Sequence, residues 1–363
     1  MKITLLLPDL RGGGAERVSV DLADAFARLG CRVEFVLLQA KGEFLAQVEE
    51  RYKVVDLDVG RMRNAIAPLS RHIRENCPDG LIAAMWPLSF IASIAVKSCR
   101  RRCPVLIVEH TTLSRQYAHW GRLHHVVLRA SLALGFRLAD ARAGVSSGVA
   151  EDAAKLAAYP VSGVATLYNP IPTRPAASAQ ALDIAESFWG RPKGKRIITV
   201  GNLKAVKNHA LLLRAFAALG TPAACLLILG QGGLEAELRA QAVQLQISGQ
   251  VVFAGFHPDP TAFYQTADLF VLSSDYEGLP TVLIEALGCG LPVVSTDCPS
   301  GPAEILENGR YGRLTPVGDT EALARAMQEA LAAPHDPEAL KRRAADFAPE
   351  RAARAYLEAL GLT

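Results

Sequence analysis

The sequence contains no apolar run of about 18 residues, the length that a helix needs to cross a membrane. The opening segment MKITLLLP is too short for the apolar region of a secretory signal and leads directly into a glycine loop, so we interpret it as a first core strand. These absences predict a cytoplasmic protein. They also argue against an exported sugar-binding protein of two α/β lobes, because such a protein needs an export signal.

Paired cysteines and clusters of metal ligands are missing as well. Seven cysteines, an odd number in a chain without a signal peptide, predict reduced thiols. The segment CRRRC at residues 99–103 has no nearby histidines and no second cysteine pair, so we assign no metal to it. No segment matches a DNA- or RNA-binding module, and nucleic acid is therefore not an expected partner.

The charge of the chain is small but unevenly distributed. The formal net charge is +3, yet residues 1–150 hold 21 Lys and Arg against 14 Asp and Glu, and the remaining residues hold 18 against 22. A basic first half predicts an anionic partner on that side, such as a membrane surface or a phosphorylated acceptor. The alternative is an ordinary solvated basic surface.

The 363 residues are enough for two domains, and strand-like segments alternate with helical ones in both halves. The strands are KITLLLP, RVEFVLL, GLIAAMW and PVLIVEH in the first half, and RIITVGN, ACLLILGQG, QVVFAGF, ADLFVLSS and LPVVSTD in the second. This pattern predicts an α/β fold of two Rossmann-like, doubly wound domains that face each other across a cleft.

The domain boundaries follow from composition. A first domain is predicted over residues 1–170, and a proline- and alanine-rich linker over 171–190. A second domain over 191–345 is followed by a C-terminal helix, 346–363, that is expected to pack back on the first domain. Ligands are expected at the C-terminal ends of the strands, in the cleft.

The segment SSDYEGLPTVLIEALGCGLPVVSTD holds two glutamates around a Gly-Leu-Pro turn. Proline suits the first turn of a helix, so a helix is predicted from about Pro280 to Leu287, ending at Gly288. Its free N–H groups and positive dipole end favour a phosphate. The residues expected at this anion site are Gly278, Leu279, Pro280 and Thr281.

The two glutamates flank that anion site. Glu277 precedes the helix, and Glu285 is expected roughly 7 Å along it at about 1.5 Å rise per residue. A ligand with hydroxyl groups on both sides of a diphosphate fits this spacing, so we predict a nucleotide sugar with its hexose near Glu277 and its ribose near Glu285. The alternative is that both are ordinary acidic residues of a helix.

A glycine loop, Gly12 to Gly14, follows the first strand. Position 17, where a dinucleotide fingerprint needs its last glycine, is Arg17, so the loop is not that motif. Gly13 and Gly14 are predicted to let the backbone approach the donor phosphates or the transferred sugar. The alternative is a plain tight turn.

Several segments together resemble one family. EGLPTVLIEALGCGLPVVSTD is similar to the donor-site motif of retaining GT-B glycosyltransferases of family 4 (glycosyl transferases group 1), in which seven residues separate two glutamates. LPDLRGGGAERV resembles the N-terminal glycine loop of that family, VGNLKAVKNHALLLRAF its phosphate-binding segment, and VVFAGF its nucleotide-side strand and turn. The resemblance spans nearly the whole chain, in the order typical of the family, and is of the bacterial envelope polysaccharide type.

The resemblance implies a reaction. A hexose or N-acetylhexosamine would pass from a nucleotide diphosphate sugar, with UDP as the default, to a hydroxyl of a glycan or polyprenyl-linked acceptor with retained configuration. Glu277 would hold sugar hydroxyls, and the leaving phosphate would help to accept the proton. Lys207 would neutralise the leaving diphosphate. No cofactor and no metal are expected.

Other roles remain open. His110, at the end of VLIVEH, would lie beside the transferred sugar, although it could have a purely structural role and Glu109 could be the important polar group. Many relatives have a basic residue where this chain has Asn202, so Asn202, Lys204 or Arg17 is left for the second phosphate contact.

Two alternative functions share the predicted fold: a GT-B nucleotide-sugar epimerase and a catalytically silent partner subunit. An Asp-x-Asp pair that could hold a divalent ion occurs at Asp56 and Asp58. It is far in sequence from the phosphate segments, so we interpret it as the edge of a strand.

A membrane-docking surface is also predicted in the first half. Arg115, Arg122 and Arg129 recur every seven residues and would form one basic stripe on a helix. Trp120, Leu123 and Val127 would lie beside it, with Tyr117 nearby and a further basic cluster at Lys97 and residues 100–102. The alternative is that this apolar stripe packs into the core.

Overall fold

A computed structural model of the chain describes residues 1–11, 13–99, 103–172, 175–190, 194–221 and 223–362. Gly12 and the predicted basic residues Arg100, Arg101 and Arg102 lie outside this part. The chain forms two compact units, Met1–Pro172 with Phe347–Thr363, and Thr173–Asp346.

The first unit is built on a parallel sheet of seven strands in the order β3-β2-β1-β4-β5-β6-β7. Every residue of its fourth and fifth strands is buried, as expected for a parallel sheet covered by helices on both faces. The strands are β1 (Lys2–Leu7), β2 (Arg32–Leu37), β3 (Lys53–Asp56), β4 (Gly80–Ala84), β5 (Val105–Glu109), β6 (Ala141–Gly144) and β7 (Ala165–Thr166).

Seven helices connect these strands. They are α1 (Gly14–Arg28), α2 (Leu45–Glu49), α3 (Ile66–Asn76), α4 (Leu88–Ser98), α5 (Leu113–Gln116), α6 (Arg122–Leu138) and α7 (Ser147–Leu156). The strand order reverses between β1 and β4, so the loops after these two strands diverge at the C-terminal edge of the sheet, the place where doubly wound sheets bind ligands.

The second unit contains a parallel sheet of six strands in the order β10-β9-β8-β11-β12-β13. The strands are β8 (Arg196–Val200), β9 (Cys225–Leu229), β10 (Val251–Gly255), β11 (Leu269–Leu272), β12 (Val293–Thr296) and β13 (Arg313–Thr315). Here the order reverses between β8 and β11. The prediction of two doubly wound parallel sheets is confirmed.

The helices of the second unit cover both faces of its sheet. They are α8 (Ala179–Trp189), α9 (His209–Ala218), α10 (Glu235–Gln244), α11 (Thr261–Gln265), α12 (Thr281–Gly288), α13 (Pro302–Ile305), α14 (Thr320–Ala332) and α15 (Pro337–Ala345). The short strand β13 was not expected from the sequence, because its three residues are too few to show a pattern.

The last helix, α16 (Pro349–Ala359), returns to the first unit and packs against α1. Its apolar face is buried and includes Tyr356 and Leu357. At its other end Glu350 Oε1 lies 2.7 Å from Arg28 Nε of α1. The C-terminal segment therefore belongs to the core of the first unit.

The segment predicted as a linker, residues 171–190, contains a helix that the sequence did not predict. Residues 179–189 form α8, which begins where the Ser178 side chain accepts a hydrogen bond from Ala181 N at 3.2 Å. Trp189 is only 1% exposed, and its indole Nε1 donates to Thr266 Oγ1 at 2.9 Å. The proline- and alanine-rich composition suggested an irregular segment, because composition does not reveal that Trp189 is buried and hydrogen-bonded to Thr266.

Within the described residues, no helix has both the length and the apolar character needed to span a bilayer.

Replacing Trp189 by alanine should destabilise the second unit by about 3–5 kcal/mol, because it removes a fully buried indole and leaves a cavity. Urea unfolding measures the change. Ile184→Ala is the matched control, since Ile184 lies on the same helix but is 49% exposed, and its effect should stay within about 0.5 kcal/mol. Equal stability of Trp189→Ala and the wild type would show that α8 is only a loosely attached linker.

Candidate functional site

In the second unit, the loops after β8 and β11 meet where the strand order reverses. Lys207, in the short 3₁₀ helix Ala205–Lys207, places its Nζ 2.6 Å from Oε1 of Glu277, which follows β11. Ser274 Oγ donates to the same carboxylate oxygen at 2.6 Å. The two residues that sequence analysis assigned to phosphate and sugar are therefore an ion pair in the structure.

Three further hydrogen bonds join these two loops. Asn208 Nδ2 donates to Asp275 Oδ1 at 2.7 Å, and the Asp275 backbone N–H donates to Val206 O at 2.8 Å. Ser273 Oγ donates to Lys207 O at 2.9 Å. The sequence analysis missed these residues, although an Asn before a helix and a Ser-Ser-Asp run after a strand are signals of capping and turn formation.

The Lys207–Glu277 pair is only partly accessible to water. The side-chain exposure is 23% for Lys207 and 11% for Glu277. Burial is also evident at the neighbouring Cys298, where desolvation and the negative charge of Glu277 raise the thiol pKa to about 12. An anion that binds Lys207 must compete with Glu277, while Ser274 can keep the released carboxylate in place.

The turn before α12 is held by a second loop. Ser300 Oγ donates to Gly278 O at 2.9 Å, and the Glu277 backbone N–H donates to Pro299 O at 3.3 Å. Gly301 has a φ of +98°, and a Cβ at this position would lie 2.5 Å from Pro280 Cδ. Glycine at position 301 therefore allows the loop of residues 299–301 to pack closely against the turn before α12.

Helix α12 starts at Thr281, with Pro280 as its N-cap, and ends at Gly288, close to the predicted bounds. Gly278, Leu279 and Pro280 are buried, whereas Thr281 is partly exposed. Glu285 lies in the second turn, where Tyr264 Oη is 3.3 Å from its Oε2. Both glutamates thus flank the start of one helix, as the sequence predicts.

The residues left open for the second phosphate contact differ in their surroundings. Asn202 and Lys204 are exposed on the turn that leads to Lys207. This turn lies directly against Gly230, whose φ is +142° and whose Cβ would be 2.0 Å from Gly201 O. Arg17 lies in the first unit, with its Nε 3.4 Å from Asp21 Oδ2.

In the first unit, the predicted glycine loop leads into α1, with Gly13 as the N-cap. A Cβ on Gly13 would lie 2.1 Å from Oε2 of Glu16, so the carboxylate of Glu16 folds back over this glycine. Burial raises the pKa of Glu16. Gly14 has nothing within 4 Å of its Cβ position. A ligand would approach Gly14 freely but would meet Glu16 at Gly13.

Glu109 ends β5 and His110 follows it, and the two residues have different surroundings. Glu109 is 1% exposed, and its carboxylate accepts hydrogen bonds from Trp86 N at 2.9 Å and Ser89 Oγ at 2.7 Å. Burial raises its pKa to about 7. Desolvation lowers the pKa of His110 to about 4, so its imidazole is neutral at physiological pH. Glu109 supports the turn after β4, and His110 is the group available for a ligand.

Asp56 and Asp58 form a turn at the end of the outer strand β3. Asp56 Oδ1 accepts the Asp58 backbone N–H at 2.8 Å, and the φ of Asp58 is +49°. Within the described part of the chain, no group of three or more His, Cys, Asp or Glu side chains could hold a metal ion. All seven cysteines are described, and none is in a disulfide.

The predicted basic stripe on one helix is wrong. Arg115 lies in α5, whereas Arg122 and Arg129 lie in α6, because the chain turns between them: Gly121 is extended, and the Trp120 ring packs on Tyr117 at a centroid distance of 4.2 Å. The structure shows another surface on α6. Four of its apolar side chains are exposed by 46–74%: Leu123, Val126, Val127 and Leu134.

Comparisons with known proteins give the family and the fold of the chain. Residues 12–174 match the family described as Glycosyltransferase Family 4, and residues 185–347 match Glycosyl transferases group 1. The Anabaena Alr3699/HepE structure in complex with UDP is similar over 100% of both chains, with a TM-score of 0.84 and 22% identity. The fold is therefore GT-B, and the chain belongs to the retaining glycosyltransferases of group 1, family 4.

Two relatives are more similar in sequence over shorter stretches. One is the N-acetylgalactosamine-N,N'-diacetylbacillosaminyl-diphospho-undecaprenol 4-alpha-N-acetylgalactosaminyltransferase of Campylobacter jejuni, 32% identical over 62% of this chain. The other is the lipopolysaccharide core biosynthesis glycosyltransferase LpsE of Rhizobium meliloti, 35% identical over 38% of this chain. The matches span 60% and 39% of the lengths of these relatives.

A double-mutant cycle tests whether Lys207 and Glu277 stabilise each other. Lys207→Met, Glu277→Gln and the double variant should give a coupling energy of about 1–3 kcal/mol in urea unfolding, because both groups are partly desolvated. The control pair is Arg313 and Glu329, 2.7 Å apart but exposed by 41% and 59%, where about 0–1 kcal/mol is expected. Equal coupling in the two cycles would contradict the partial burial of the site.

Proposed function

We propose that this protein transfers a hexose or N-acetylhexosamine from a nucleotide diphosphate sugar, a UDP-sugar by preference, to a hydroxyl of a glycan or lipid-linked acceptor. The observation that carries the proposal is the Lys207–Glu277 pair, 2.6 Å long, at the start of the helix that also holds Glu285. One cation, one helix N-terminus and two carboxylates provide complementary groups for a diphosphate between two polyols.

Binding of the donor rearranges this pair. The diphosphate takes Lys207 Nζ and the free N–H groups at the start of α12, so Glu277 becomes available to accept hydrogen bonds from the sugar hydroxyls. Ser274 Oγ, 2.6 Å from Glu277 Oε1, keeps the carboxylate aimed during the exchange. Glu285 accepts from the ribose. Binding of UDP by the Anabaena protein of the same fold supports this choice of nucleotide.

The chemistry then needs charge stabilisation rather than a covalent nucleophile. As the bond from the anomeric carbon to the diphosphate oxygen breaks, negative charge grows on the leaving group beside Lys207 and the N-terminus of α12. The acceptor oxygen attacks the same face, and its proton passes to the leaving phosphate oxygen. Asn202 or Lys204, exposed on the turn before Lys207, supplies the second contact. No divalent cation is required in this scheme.

The acceptor is proposed to be a lipid-linked glycan of envelope polysaccharide biosynthesis. The Campylobacter relative is named for a diphospho-undecaprenol-linked acceptor, and the Rhizobium relative for lipopolysaccharide core biosynthesis. The imidazole of His110 is neutral, so it can donate one hydrogen bond to a sugar hydroxyl. The enzyme would act in the cytoplasm, at the inner face of the membrane.

Helix α6 is the proposed contact with that membrane. Its sequence RLHHVVLRASLALGFRL contains three arginines and neither Asp nor Glu. Four exposed apolar side chains can enter the interfacial region, and each arginine near anionic headgroups contributes about 1 kcal/mol. This combination of exposed apolar and basic groups on one helix favours an anionic lipid surface.

Release of nucleoside diphosphate from a panel of donors, with and without candidate acceptors, tests the function. Glu285→Gln should weaken UDP binding by about 10- to 100-fold, the equivalent of one charged hydrogen bond. Glu277→Gln should lower turnover at least about tenfold but leave UDP affinity unchanged or higher, because Lys207 is then free to bind phosphate.

Glu329→Gln on α14 is the control and should match the wild type in both measurements. Excess chelator should leave the rate nearly unchanged. Equal UDP affinity of wild type and Glu285→Gln would remove the ribose assignment. Free sugar released without an acceptor would favour the epimerase alternative, and no turnover with any donor would favour the silent subunit.

Co-sedimentation with anionic liposomes tests the role of α6. The combined variant Arg122→Glu, Arg129→Glu and Arg137→Glu should lose most binding at low salt, because three attractions become repulsions. A control with the same charge change on the second unit, Arg239→Glu, Arg325→Glu and Arg342→Glu, should bind like the wild type. Equal loss in both variants would mean that α6 is not the docking surface.

A further inference from the structure

A small cavity lies inside the first unit, between the strands β1, β4 and β5 and the helix α1. Its volume is about 10 Å³, which is near the smallest that holds one water molecule. Most of the lining residues are aliphatic, but three have polar side chains: Ser19, His110 and Tyr356. A buried water needs two to four polar partners, so this cavity has the composition of a water site rather than of a dry void.

Tyr356, on the C-terminal helix α16, is the most unusual of these groups. The residue is 1% exposed, and its Oη has no hydrogen-bond partner among the described residues. Burial raises the pKa of this phenol, so it stays protonated and is a donor without an acceptor. Nearly all buried hydroxyl groups in proteins are hydrogen-bonded, to protein or to ordered water.

The other two groups complement it. Ser19 Oγ donates its hydrogen to Ala15 O at 2.8 Å, which leaves its lone pairs free to accept. Because desolvation lowers the pKa of His110 to about 4, its neutral ring has one N–H and one bare nitrogen. The lining therefore offers one donor, from Tyr356, and two acceptors, which matches the one lone pair and two hydrogens that a water molecule would use.

We propose that one ordered water binds in this cavity and that Tyr356 is, through it, a positioning residue for His110. The water accepts from Tyr356 Oη and donates to Ser19 Oγ and to the bare nitrogen of His110. The tautomer of His110 is thereby fixed, with its N–H on the nitrogen that does not face the cavity. That N–H is the group that meets the transferred sugar, a consequence that rests on the proposed function.

The inference also gives the return of the C-terminal segment a role in the site. Glu350 near the start of α16 pairs with Arg28 of α1, and Tyr356 further along α16 lines the same cavity as His110. A residue about 250 positions later in the chain thus sets the orientation of a candidate site residue.

A crystal structure at high resolution tests the water directly. We expect electron density for one water within about 3.2 Å of both Tyr356 Oη and one ring nitrogen of His110. The melting temperature of Tyr356→Phe, compared with that of the wild type, is an independent test. Loss of a water-bridged hydroxyl lowers it, whereas removal of a hydroxyl that has no partner at all raises it. A dry cavity or a raised melting temperature would overturn the proposal.

The ¹⁵N NMR signals of His110 in histidine-labelled protein report the tautomer without any substrate. The wild type should show one neutral tautomer, and Tyr356→Phe should shift both nitrogen signals towards a mixture. Tyr159→Phe, a matched loss of a phenol elsewhere in the first unit, should leave them unchanged. Identical His110 signals in Tyr356→Phe and wild type would show that Tyr356 does not position the ring.

Turnover separates this inference from the proposed function. Tyr356→Phe should lower the turnover number about 3- to 10-fold and leave the KM for the donor within about twofold, because only the orientation of His110 changes. If the NMR signals shift and turnover does not, the water and the positioning role stand, and the contact of His110 with the sugar falls.

Discussion

The contact between the β8 loop and the β11 loop of the second unit is the constraint on which the candidate site depends. Lys207 and Glu277 are held 2.6 Å apart, and three more hydrogen bonds join the same two loops. The ion pair stabilises two opposite charges in a partly buried place. In the proposed complex, a phosphate replaces Glu277 as the partner of Lys207, and sugar hydroxyls replace Lys207 as the partner of Glu277. We propose that this site binds a ligand with both an anionic and a hydroxyl-rich part, which separates the two charges as it binds.

The first unit instead offers a neutral hydrogen-bonding group. Burial keeps His110 uncharged, whereas the carboxyl group of Glu109 is already bonded to Trp86 N and Ser89 Oγ. Glu16 covers Gly13, whereas Gly14 has nothing within 4 Å of its Cβ position. Each unit therefore places its candidate residues at the C-terminal edge of its own sheet, next to the point where the strand order reverses.

Local patterns were enough to predict the strands around the site and the start of α12, because a proline at the beginning of a helix and apolar runs between turns act over a few residues. They were not enough for contacts between distant segments. The pairing of Lys207 with Glu277 joins residues 70 positions apart. Trp189 is anchored by Thr266, and the direction change at Gly121 separates Arg115 from α6. In the first two cases the deciding partner lies far away in the chain, where periodicity carries no information, and in the third a turn interrupts the periodic segment.

A crystal structure of the protein with bound UDP tests the central claim most directly. The account predicts that a phosphate oxygen lies within about 3.2 Å of Lys207 Nζ and that the Lys207–Glu277 distance grows well beyond 2.6 Å, with a ribose hydroxyl on Glu285. UDP bound elsewhere, with Lys207 and Glu277 still paired, would contradict it.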